Sequence, residues 1–210
     1  MLRLATFTLL AASVASAAPV PKGSEKGFYF PLAVGAKWVT EQKAEGAVST
    51  TTQTVTRVEG KDGKYLVTVE RENAPAARAV EVFEVTDKGV SRVSQGGVEG
   101  KEPVPLLKLG VKPGDTWEVE EVVAIGPRGA DGSPLSISAK VTYTAGDEEV
   151  VEVPGGKFKA MKVEREFTRR GMTTKGTTWY AAGVGVVKTE SDQAGRKRTT
   201  ALEEFSPGKP

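Results

Sequence analysis

The chain has 210 residues, 39% of them hydrophobic and 27% charged, proportions that suit one globular domain and fit neither a disordered tail nor a fibre. Lys and Arg number 29 against 27 Asp and Glu, a formal charge of +2, so the charge balance gives no reason to expect nucleic acid or general membrane adsorption. The absence of Cys and His excludes disulfides, thiolate metal sites, iron–sulfur clusters, a lipid-modified cysteine and the commonest general base, and no cofactor or metal is expected.

Residues 1–17 read as a secretory signal peptide. Arg3 supplies the positive region, Leu4 to Val14 the apolar stretch, and Ala15-Ser16-Ala17 the small-residue cleavage site. The eleven-residue apolar run is too short to span a bilayer, which takes about twenty residues. The other reading, a buried amphipathic helix, lacks a polar face and runs into Pro19 and Pro21. Cleavage after Ala17 removes Arg3 and leaves 28 basic against 27 acidic residues. No later run is long enough to serve as a transmembrane anchor, so the expectation is a soluble exported protein, periplasmic or extracellular. Residues 18–30 are a lead-in, 31–206 a β domain and 207–210 a tail.

From Lys37 onward apolar residues recur at every second position. Tyr65, Val67 and Val69 alternate with polar neighbours, and Val80, Val82 and Phe83 through Val85 do so less cleanly. Trp117, Val119, Val123 and Ile125 form one face of a further strand, with Glu121 breaking that face; Leu135, Ile137, Ala139, Val141 and Tyr143 form another. Gly60-Lys61-Asp62-Gly63, Asp87-Lys88-Gly89, Pro113-Gly114-Asp115, Pro154-Gly155-Gly156 and Gly171 are turn signals between them. The spacing predicts ten to twelve hairpin-connected antiparallel strands in a single all-β domain. Val104 to Leu109 is the one stretch with room for a helical turn. Gly126 to Pro134, three Gly-X-Y triplets, is too short for a triple helix and reads as a hairpin loop.

An internal duplication organises the pattern. Leu32-x-x-Gly35-x-x-Trp38 resembles Val111-x-x-Gly114-x-x-Trp117, Gly63-Lys64-Tyr65 resembles Gly156-Lys157-Phe158, and Gly89-Val90 resembles Gly183-Val184. The offsets of 79, 93 and 94 residues place about fourteen extra residues after the second Trp strand. Repeats at 31–95 and 110–190 would face each other as a curved sheet, half-barrel or clam.

The run Phe30 to Trp38 resembles the opening of the TapB-like exported bacterial β domains, a family of uncharacterised function. Val151 to Ala160 and Trp179 to Lys188 resemble its later signatures, with Ala182 where the family usually has Pro. The resemblance covers most of the mature chain and implies a curved antiparallel sheet similar to the lipoprotein-carrier clams. It carries over no catalytic residue.

The candidate contact residues fall in two groups. Trp38, Trp117 and Trp179 sit at strand ends, where they line a cavity mouth or, the favoured reading, plug the barrel ends. Arg169, Arg170, Arg196, Lys197 and Arg198 occupy hairpin tips that a meander would bring to one edge, suited either to anionic groups or simply to solubility and edge protection. Carboxylates at Glu118/Glu120/Glu121, Asp147-Glu148-Glu149 and Glu203-Glu204 are the only groups left for an enzyme, with the middle set read as a turn and Glu118 and Glu120 as a solvated strand face. Nucleophile and phosphate motifs are absent. The leading expectation is a non-enzymatic exported binding or envelope-assembly module that cups a lipid or other apolar ligand. The alternative is a structural or protein-interaction component of the envelope, and a carboxylate-only hydrolase stands third. A solvent-open cavity favours the first, a filled core with a bare strand edge the second, and two convergent half-buried acids the third.

Overall fold

A computed structural model describes residues 27–74, 79–128, 134–169 and 172–209; the segment read as a signal peptide and most of the expected lead-in lie outside the described residues. Thr- and Val-rich alternation produces twelve strands: β1 (Lys37–Ala44), β2 (Ala47–Lys61), β3 (Lys64–Arg71), β4 (Val80–Thr86), β5 (Gly89–Gln95), β6 (Val98–Lys108), β7 (Thr116–Arg128), β8 (Pro134–Val153), β9 (Gly156–Arg169), β10 (Met172–Ala181), β11 (Gly185–Gln193) and β12 (Arg196–Ser206). They form one antiparallel sheet in the order β6-β5-β4-β3-β2-β1-β12-β11-β10-β9-β8-β7, curled until its two edges lie side by side. The all-β, hairpin-connected half-barrel expected from the sequence is what forms.

Antiparallel pairing throughout sends the turns alternately to two ends. The β1–β2, β3–β4, β5–β6, β7–β8, β9–β10 and β11–β12 hairpins lie at one end, the mouth; the other connections lie at the base. The base is closed by aromatic packing. Phe30 is buried against Trp38 and Phe83, with ring centroids 5.6 and 4.9 Å away, and Phe28 meets Tyr65 edge-on at 5.4 Å. Backbone bonds fix this plug: Gly35 donates to Val55, Val55 to Ala36 and Gly183 to Phe28, each at 2.8 Å. The β8–β9 turn reaches β12, where Gly155 N–H donates to the Leu202 carbonyl at 2.8 Å. A Cβ on Gly155 would lie 3.1 Å from that oxygen, a tight contact that glycine avoids. The fully buried Val55, Val67, Val85, Val90 and Leu202 are part of the core that this arrangement encloses.

Among the described residues no backbone ladder joins β6 to β7. Side chains close this seam. The Trp117 indole N–H donates to the Pro105 carbonyl at 2.8 Å, Lys108 lies 5.3 Å from the same ring, and Tyr143 stacks on it at 5.5 Å.

Three expectations are corrected. Val104 to Leu109 takes no helical turn: it runs through the end of β6, whose apolar residues fall on both faces and so hide the period of two. Pro103 and Pro105 are tolerated because β6 is an edge strand. Asp147-Glu148-Glu149 is no turn but part of β8, where a register shift between Ala145 and Glu148 bends the strand. On β4 it is Glu81, Phe83 and Val85 that face inward, one unbroken alternation in register with β3 that leaves Val80 exposed. The repeated motifs open β1 and β7, begin β3 and β9, and lie at the starts of β5 and β11. β7 and β8 have 13 and 20 residues against 8 and 15 for β1 and β2, so the extra residues lengthen a hairpin.

Gly89 has φ +139°, and a Cβ there would lie 1.9 Å from the Leu107 carbonyl oxygen; Gly97 has φ +79° with open space around it. Gly97→Ala should cost about 1–2 kcal/mol for the left-handed backbone alone. Gly89→Ala should cost roughly 3 kcal/mol or more, since the collision forces β5 and β6 apart. Urea unfolding of both variants measures the difference, and equal losses would contradict this account of the edge.

An arginine-lined cavity as the candidate functional site

The curled sheet encloses a cavity of ≈ 340 Å³, within the range of small-molecule sites, to which every one of the twelve strands contributes at least one side chain. Its floor is apolar, built from Phe30, Trp38, Val69, Phe83, Val90 and Leu106. Thr40, Gln42, Thr51, Gln53, Thr178 and Thr200 make part of its wall. Charged residues occupy the same wall: Arg71, Glu81, Arg92, Glu121 and Arg165.

Each charged position follows from strand periodicity. Val67, Val69 and Arg71 alternate on β3, Val90 and Arg92 on β5, Trp117, Val119 and Glu121 on β7, and Val163, Arg165 and Phe167 on β9. On β3, β5 and β7 the interior face therefore changes from apolar near the base to charged toward the mouth, and on β9 Arg165 stands between Val163 and Phe167. Glu121 is 1% exposed. It accepts hydrogen bonds from the Tyr143 hydroxyl and from Arg165 Nη2 at 2.7 Å, and Arg92 Nη2 stands 3.3 Å away. Glu81 accepts from the Gln95 amide at 3.0 Å and lies 3.8 Å from Arg71.

Burial pushes the Glu121 carboxyl up, but the Arg165 and Arg92 charges and the Tyr143 and Arg165 hydrogen bonds overcome it and hold its pKa below the ordinary value. Burial first, then the Glu121 charge, pushes the Tyr143 hydroxyl well above its ordinary range, and burial does the same to Tyr180. Both tyrosines are thus neutral donors. The arginines are only partly satisfied: Arg71 Nε, Arg92 Nη2 and Arg165 Nε are buried without a hydrogen-bond partner, as is Gln95 Oε1. Orphaned donors of this kind cost about 1–3 kcal/mol each. Among the described residues no group of His, Cys, Asp and Glu is arranged to hold a metal ion.

The residues singled out from the sequence are not brought together. Trp38 lines the cavity floor and donates to the Val184 carbonyl at 2.7 Å. Trp117 sits at the seam, away from the cavity lining. Trp179 donates to Glu149 at 2.5 Å with Lys188 at 4.9 Å from its ring, and also lies off the cavity. Arg196, Lys197 and Arg198 are exposed at the mouth end, Arg196 3.3 Å from Glu45. The Arg169 side chain and Arg170 lie outside the described residues. Glu118 and Glu120 are exposed on the outer face, Glu118 paired with Lys140 at 2.7 Å. The inward arginines carry a signal readable in the sequence, a charge in phase with buried valines.

The family model described as DUF3108-like matches residues 137–201, about a third of the chain, from β8 into β12. No curated protein matches the chain. Among solved structures, a candidate lipoprotein from Parabacteroides distasonis ATCC 8503 is 17% identical with a TM-score of 0.53, covering 86% of this chain and 99% of its own. A candidate exported protein with a YmcC-like fold from Bacteroides fragilis NCTC 9343 is 16% identical with the same TM-score and the same coverage. The likeness shows a shared fold, and none of these matches carries the TapB-like name. Among the described residues no helix is long and apolar enough to cross a membrane.

Glu121→Leu should destabilise the fold by about 3 kcal/mol, because Arg92 would be left as a largely buried charge without its partner, while the more exposed Arg165 is screened by solvent. A carboxyl whose folded pKa lies below its unfolded value stabilises the fold above that unfolded value, near 4.5, and loses the contribution as pH falls through the folded pKa. The wild type should therefore lose thermal stability below pH 4.5 more steeply than Glu121→Gln does. Parallel slopes in a pH series of melting temperatures would contradict this.

Proposed function

We propose that this chain is an exported, non-enzymatic binding module of the cell envelope whose half-barrel encloses a small apolar or amphipathic ligand. The observation that carries the reading is the cavity of ≈ 340 Å³ with an apolar floor and a polar wall, lined from every strand of the sheet. A purely structural role calls for no such space, since interiors otherwise pack to near-crystalline density. The kinship of fold with candidate exported proteins supports the envelope setting.

Two acids do converge in the cavity, but their surroundings speak against hydrolysis. Glu121 has its oxygens engaged by Tyr143 and Arg165 and is held ionised, whereas a general acid must keep its proton near neutral pH. Glu81 is held by Gln95 and approached by Arg71. The pair serves to hold arginines in place.

Native mass spectrometry with lipid extraction, on mature protein purified from the envelope of its own host, tests the proposal. A stoichiometric small apolar or amphipathic molecule is expected. An apo mass with a clean extract would overturn it and move attention to protein partners at the sheet edges and the basic tips of Arg196, Lys197 and Arg198.

A further inference from the structure

The geometry points to an amphipathic anion as the ligand, with its carboxylate or phosphate group among Arg71, Arg92 and Arg165 and its apolar body on the cavity floor. This deepens the binding reading above and rests on it. Three guanidinium groups face two carboxylates in the cavity wall, so one positive charge is in excess. One nitrogen on each arginine is buried without a hydrogen-bond partner, although Glu81 and Glu121 stand beside them. The carboxylates therefore do not use up the donors. Arg92 illustrates the point: its Nη2 lies 3.3 Å from Glu121 Oε2, within ion-pair distance but not aligned as a hydrogen bond.

Access and selectivity follow from exposure. The Arg165 and Arg71 side chains are 37% and 32% exposed, so the cavity wall reaches solvent, while Arg92 at 15% lies deeper. An incoming anion meets the more exposed Arg71 and Arg165 first, in the same cavity lining as the deeper Arg92, and can accept hydrogen bonds from their forked donors. Beneath that wall the floor residues Trp38, Phe83, Val90 and Leu106 offer only apolar surface. A bare anion would leave that floor unused, and a neutral apolar molecule would leave the donors unpaired. A carboxylate or phosphate on an apolar body satisfies both.

The test compares dodecanoate, dodecyl phosphate, dodecan-1-ol and inorganic phosphate by isothermal titration calorimetry against the delipidated mature protein. At least one of the two chain-bearing anions should bind stoichiometrically and at least tenfold more tightly than dodecan-1-ol. Whichever of the two binds more tightly identifies the head group. Arg92→Met, and separately Arg71→Gln with circular dichroism to verify the fold, should each cut anion affinity about tenfold and leave the alcohol's affinity unchanged. Dodecan-1-ol binding as tightly as both anions would overturn the anion site while leaving the binding reading intact. Inorganic phosphate matching dodecyl phosphate would overturn the amphipathic ligand in favour of a bare anion. Failure of all four probes would overturn both readings.

Discussion

The Glu121 carboxylate takes hydrogen bonds from Tyr143 on β8 and Arg165 on β9 and lies 3.3 Å from Arg92 on β5, across the gap where the sheet has no backbone ladder. One buried side chain on β7 thus links the two halves of the chain at the place where hydrogen-bonded closure fails. Replacing such a network with apolar side chains of similar volume is often neutral or stabilising. What the charged version provides is a fixed spacing between β5, β7 and β9 and an interior that stays polar. The aromatic contacts of Trp117 with Pro105, Lys108 and Tyr143 hold the same seam nearer the base.

The cavity follows from that constraint. An interior lined wholly by valine and leucine would collapse to close packing, because dispersion and apolar burial both reward filling it. Arginines resist this: their planar forks need acceptors, and their carboxylate partners hold them apart. The gradient from aromatic floor to charged wall is then one structure with two tasks, a sealed base that supplies stability and a polar upper chamber that stays accessible.

The strand content, the antiparallel order of β9 to β12 and the inward sets Tyr65, Val67, Val69 and Val141, Tyr143 were legible in the sequence, because a period of two and glycine-rich turns are local signals. The errors also have local causes. Proline and two-sided apolar residues disguised the end of β6, the apolar Val80 and Val82 hid that Glu81 shares the inward face of Phe83 and Val85, and a register shift carried Asp147-Glu148-Glu149 through a strand. Glu121 stood out as a break in an apolar face, yet its meaning needed Arg92, Tyr143 and Arg165. Those lie 29, 22 and 44 residues away and meet it only through the register of a curled sheet. The tryptophans and basic tips attracted attention by residue type, but three-dimensional position separates them: Trp38 alone of the eight lines the cavity among the side chains described.

The pairing of β1 with β12 has a consequence for how the fold is reached. All other ladders join strands adjacent in sequence, so each half can assemble as a local meander, whereas β1 must find a partner that begins more than 150 residues later. That single ladder carries much of the chain-closure entropy and holds back the folding rate. It also sets residues near both ends of the β domain side by side, with Lys209 N–H donating to the Val34 carbonyl at 3.3 Å. A circular permutant joined there and opened between β6 and β7 would read as twelve consecutive strands joined by eleven connections, with every hydrogen-bonded ladder local. The unzipped seam is thus the natural place to begin and end this fold, whereas the first and last strands, β1 and β12, lie on the opposite side of the barrel.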